Sequence, residues 1–207
     1  MTSSHKRGGS PESRAVFGGS GVAGFGEMFV VGIGVALLSL PLVTLAPAFG
    51  AGVRHFRAHL DDEPDSIRLF AVRGLQAVRS GWWFGTACAV VIALLVLNAV
   101  GAALGALPGG VTFAVVSGGL AVVVFVAMLR TAALWTPGAR WIDLWREGRG
   151  VVVDDPIGTS LVLVGLGVSA TVVWMLPPLI VIAPGLIVVS LVAAERRRAA
   201  TSSRRAA

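Results

Sequence analysis

The chain has 207 residues, of which 55% are hydrophobic, 27 are Gly and 14% are charged. A soluble domain holds about 25% charged residues, and the mean hydropathy here is +0.82. These values exclude a water-soluble globule, a disordered chain, a coiled coil and a disulfide scaffold, and leave an integral membrane protein. The net charge of +6 does not point to nucleic acid, because the basic residues form no single patch. They fall into four clusters separated by long uncharged stretches, as loops flanking membrane spans do. Cys88 is the only cysteine, so no internal disulfide can form.

Residues 1–22 are Gly, Ser and charge, and read as a disordered tail. The sequence Gly19-Ser20-Gly21-Val22-Ala23-Gly24 satisfies G-x-G-x-x-G. No strand precedes it and no acid follows at the required distance, so a Gly-rich tail before a span explains it. From Met28 to Val53 no residue is charged. A span needs about 20 apolar residues, which predicts a first span over residues 24–45, with Pro41 and Pro47 kinking or stopping it. A cleaved signal peptide is the rival reading, with Ala46-Pro47-Ala48 as its cleavage site. The apolar run is longer than a signal peptide needs, and cleavage would place the next Arg-rich loop outside.

From Arg54 to Arg79 apolar residues recur among arginines, which predicts one or two amphipathic helices on the membrane surface. Asp61 to Ser66 breaks them, with Asp65 or Ser66 as the N-cap of the second. Further spans are predicted over 82–104, 111–134, 157–175 and 179–194, the last containing Pro184. Between the third and fourth, Trp141, Leu144 and Trp145 share one face of a short interfacial helix. Residues 195–207 read as a basic disordered tail. The fold class is therefore all-α: a polytopic helical membrane protein with about five spans and interfacial helices in its loops. One membrane domain covers 23–194.

Successive loops after the first span hold five, zero, four and zero Lys or Arg, and the C-terminal tail holds five. The positive-inside rule then places both charged loops and the C-terminus in the cytoplasm and the N-terminus outside. A bacterial inner-membrane location is expected.

The stretch Ser39-Leu40-Pro41-Leu42-Val43-Thr44-Leu45-Ala46-Pro47-Ala48-Phe49-Gly50-Ala51-Gly52 resembles the YesL-like family of bacterial membrane proteins. That family shows an acid near the start of the first span, a Leu-Pro-x-x-Thr signature, a run of small residues, and a basic stretch with an acidic break. Glu27, Pro41, Thr44, Ala48, Ala51, Arg54 and Asp62 stand in the matching places. Gly32 stands where the family often has Asn. The match covers about residues 26 to 80. The resemblance implies a context, since members are often encoded beside ABC-type carbohydrate uptake systems, but it supplies no activity.

Candidate sites are few. Glu27 at the mouth of the first span is a functional candidate because acids within spans are costly, with a solvated helix-end role as the simpler reading. Asn98 is the strongly polar side chain deep in the second span, suited to a substrate or to a hydrogen bond across helices. His55 and His59, four apart, could begin a metal site with Asp61 or Asp62, but the ligand set is incomplete. Asp154-Asp155 before Pro156 reads as charge on a helix N-terminus. Gly81 with Gly85, and Gly101 with Gly105, permit close helix packing. Trp82, Trp83, Trp135, Trp141 and Trp145 read as an aromatic belt. Arg196-Arg197-Arg198 reads as an orientation signal, with anionic lipid as a possible ligand.

No catalytic, cofactor-binding or metal residue is expected, and there is no Walker motif to drive transport with ATP. The expected role is a non-enzymatic partner protein linked to carbohydrate uptake, docking on partners such as ABC permease subunits through its Arg-rich loops. The alternative is a small stand-alone transporter or channel, its pathway lined by Asn98, Ser117 and Thr171. The expected environment is the lipid bilayer, with no nucleic acid and with self-association open.

Overall fold

The computed structural model describes residues 19–61, 66–105 and 109–206, so the N-terminal tail expected to be disordered lies outside the described residues up to residue 18. The described chain is all helical: α1 Gly19–Leu38, α2 Leu45–Leu60, α3 Ile67–Ala103, α4 Gly110–Ala133, α5 Trp141–Asp154, α6 Pro156–Met175 and α7 Ala183–Ala206. Short 3-10 segments at Leu42–Thr44 and Pro177–Val181 lead into α2 and towards α7. Three helices, α3, α4 and α6, are long and apolar enough to cross a membrane. They coincide with the second, third and fourth predicted spans.

The first predicted span is interrupted. Its helix stops at Leu38, and α2 starts at Leu45. Pro41 has no N–H to continue a helical ladder, and the Thr44 hydroxyl donates to the carbonyls of Leu38 and, at 2.7 Å, Pro41. That bracket folds α2 back against α1. Pro47 neither kinks nor stops a helix here: it sits in the first turn of α2, where a missing N–H costs nothing.

The surface helices expected between spans one and two also take another form. α2 is not interfacial. Eleven of its residues, among them Phe49, Val53, His55 and Phe56, are buried against α1, α3, α4 and α7. Its run of small residues allows this. Gly50 lies against Trp135, and Gly52 lies against Val31, Val35 and Val188. The second amphipathic stretch is the first third of α3, a single 37-residue helix about 55 Å long. Of the two expected caps it is Ser66 that caps it, accepting from the Leu69 amide at 3.2 Å.

α5 runs to Asp154 and is docked, not free in the interface. Trp141 stacks on Phe84 with centroids 5.3 Å apart, and its indole N–H donates to the Ser80 hydroxyl at 3.1 Å. The aromatic belt is thus reduced. Trp82 and Trp83 are exposed, but Trp135 and Trp141 belong to the core. An indole suits either place, because its apolar body needs only one polar partner.

The predicted fifth span is broken too. The chain is 3-10 over Pro177–Val181, then helical from Ala183, with Pro184 in the first turn. The C-terminal residues expected to be disordered continue α7 to Ala206. Ion pairs from Arg196 to Asp61 and from Arg197 to Asp155 tie that extension to the bundle.

Outward faces of α3, α4 and α6 expose Val90, Leu94, Leu97, Val111, Val115, Val116, Val164 and Val168. This apolar area exceeds what a protein in water leaves uncovered and suits a hydrocarbon surround. Charge collects at the end where α2, α4, α6 and α7 meet.

Candidate functional site

That end is built around Arg130. It stands in the last turn of α4 and is fully buried. A buried guanidinium requires carboxylates, and two other elements supply them. Asp155 comes from the start of α6 and Glu195 from the middle of α7. Arg130 donates to Asp155 Oδ2 at 2.9 Å and lies 3.5 Å from Glu195 Oε1. Arg197 of α7 donates to Asp155 Oδ1 at 2.9 Å, and Arg57 of α2 lies 3.8 Å from Glu195 Oε2.

Local sequence fixes Asp155. Asp155-Pro156 is an N-cap followed by Pro at the first helical position, and the carboxylate accepts from the Gly158 amide at 3.0 Å. Gly158 is also a spatial requirement: a Cβ there would overlap the Asp155 carboxylate. Burial pushes the Asp155 carboxyl upward, but the Gly158 amide, Arg130 and Arg197 outweigh it and hold it below its ordinary value of 3.8.

The sign of the linked stability follows. A carboxyl lowered by folding stabilises the protein above its ordinary value, and this contribution is lost as pH falls through the folded value. Thermal stability in mild detergent is therefore expected to fall below about pH 4 through this group. Asp155→Asn should be less stable at pH 7 and show a shallower acid-side loss. An unchanged pH profile would refute the assignment.

A second polar contact joins α1 to α2. Glu27 Oε1 of α1 is 2.9 Å from His55 Nε2 of α2, and His55 packs on Phe70 at 5.1 Å. Glu27 is thus a bridge between two helices, not a solvated helix end. Beside it lies an apolar cavity of about 250 Å³ lined by Val30, Ile33, Leu37 and Phe70.

The other expected site residues are placed by the structure as follows. Pro41 and Thr44 form the turn between α1 and α2. Asn98 donates to the Ser117 hydroxyl at 2.8 Å, joining α3 to α4. Thr171 stays apart on α6, its hydroxyl bonded to Gly167 of the same helix. Among the described residues no three His, Cys, Asp or Glu side chains gather at His55 and His59, and Asp62 lies outside the described residues. Gly81 and Gly85 do permit close packing, against Trp141 and the Val43 carbonyl. Gly101 and Gly105 do not, because a Cβ at either would meet open space, and Gly105 is a turn residue with φ +82°.

Sequence reasoning missed Arg130, Glu195 and Arg197 as a unit. The available signal was Arg130 itself, a charge inside the predicted third span (111–134). Chemically the cluster is a clamp. Each carboxylate is shared between two cations, which fixes four helices without leaving an acid and a base poised together. No protein-family model, curated protein or solved structure matches the chain.

Proposed function

We propose that this is a multi-pass bacterial inner-membrane protein that serves as a non-enzymatic partner subunit, with its charged end as the cytoplasmic docking face. The observation that carries this reading is the division of labour among its charges. Arg130, Asp155, Glu195, Glu27 and His55 are spent on holding helices together. Arg68, Arg79 and Arg149 remain exposed, as do Arg140 and Arg146 with the solvent-open Asp143 between them. The Trp141–Ser80 bond brings Arg79 and Arg140 onto adjoining elements. Such a surface favours a partner with an acidic face. The positive-inside rule supports a cytoplasmic position for it and for the C-terminus.

A link to carbohydrate uptake rests on the resemblance over residues 26 to 80. It makes ABC permease subunits the first partners to seek. Co-purification from native membranes, with cross-linking and mass spectrometry, tests both parts. Permease subunits should cross-link to this face, and R68E, R79E and R149E combined should abolish their recovery. A protein recovered alone, or a variant that keeps its partners, would refute the reading.

A further inference from the structure

The start of α6 and the polar part of α7 enclose a groove of about 440 Å³. Asp154, Ile157, Arg198, Thr201 and Ser202 line it. The Asp155–Arg197 ion pair completes its wall. Asp154 and Arg198 have no ion-pair partner among the described residues, so the groove offers one carboxylate at the end of α5 and one guanidinium on α7. The Thr201 and Ser202 hydroxyls donate to the Arg197 and Arg198 carbonyls at 3.0 and 3.1 Å. Their oxygens are left with acceptor capacity only.

The lining is balanced in charge, two acids against two bases, which disfavours a ligand of net charge. It suits a ligand with an ammonium donor at one end and an anion at the other. Its depth is set by Asp155, which caps the first turn of an apolar helix and so lies at headgroup level. From the groove an exposed apolar stripe, Ile157, Leu161, Val164 and Val168, runs along α6 into the hydrocarbon layer.

We propose that this groove binds the headgroup of a phosphoethanolamine lipid. The ammonium sits on Asp154 and the Thr201 and Ser202 oxygens, the phosphate sits on Arg198, and an acyl chain follows the α6 stripe. A trimethylammonium head has no N–H to donate, and an anionic head meets Asp154 unfavourably. The site thus discriminates by headgroup, not by charge alone.

The site rests on the membrane reading, and the two can fail separately. Release of the protein from membranes by alkaline carbonate would refute the membrane reading. For the site itself, the full chain in mild detergent is titrated with phosphatidylethanolamine, phosphatidylcholine or phosphatidylglycerol, and retention is read by native mass spectrometry. Phosphatidylethanolamine should be retained about tenfold more tightly than either. Asp154→Asn should erase its advantage over phosphatidylcholine, and Arg198→Gln should weaken both. Both side chains reach solvent, and unchanged melting of each variant would confirm its fold. Equal retention of the three lipids, preference for phosphatidylglycerol, or binding of soluble phosphoethanolamine as tightly as the lipid would each overturn the proposal.

Discussion

Arg130→Ala is expected to destabilise the protein by about 3–5 kcal/mol, the usual loss when one partner of a buried ion pair is removed. The guanidinium is 0% exposed and touches carboxylates from two other helices. Its removal leaves a cavity and strips Asp155 and Glu195 of their shared cation. Arg57 and Arg197 remain nearby, but neither stands between the two acids. Arg130→Lys should recover only part of the loss, since an ammonium lacks the planar fork that reaches both carboxylates. Exposed controls exist in Arg140 and Arg146, whose pairs with Asp143 are 3.9 and 3.8 Å long and open to solvent; replacing them with Gln should change little. Melting in mild detergent, followed by fluorescence-detected size exclusion, separates these cases. An Arg130→Ala protein that melts like the wild type would show that the clamp does not hold the bundle.

Gly85→Ala should be the second most damaging change. α3 passes so close to the turn between α1 and α2 that a Cβ at Gly85 would overlap the Val43 carbonyl oxygen. Backbone cannot rotate away as a side chain can, so α3 or the turn must move. A loss of about 1–3 kcal/mol or more is expected for such overpacking. The turn also carries the Thr44 bracket and the exposed Leu40 and Leu42, so its displacement would disturb the seat of α2. Gly118 and Gly119 on α4 supply the control, since a Cβ at either meets open space. Ala there should be neutral or mildly stabilising, because Ala favours helix. Equal tolerance at Gly85 and Gly118 would refute the close approach.

The proline and glycine positions show how far a one-dimensional reading reaches. Pro41 signalled a break, and a break is there, but the pattern could not say that the chain then reverses into a buried helix. Arg54 and Arg57 suggested a water-facing helix. In fact the other side of that helix, with Ala48, Ala51, Gly52 and Val53, is small enough to slide between neighbours. Small residues read alike in a tail, a turn and a tight crossing. What they admit depends on what stands opposite, as Gly81 facing Trp141 and Gly101 facing nothing make plain.

Hydropathy and local pattern were enough for the all-helical class, the apolar lengths of α3, α4 and α6, a cap at position 65 or 66 and the acidic Pro156 start of α6. Each is a local property: hydropathy summed over one segment, or a side chain satisfying its own backbone. Packing made α2 part of the core, buried Trp135 and Trp141, and brought positions 130, 155 and 195 into one ionic clamp. A buried charge demands an opposite charge, which is legible from one residue. Which distant carboxylates answer that demand is settled by how the helices pack, because the pairing energy exists only when those side chains share a dry interior.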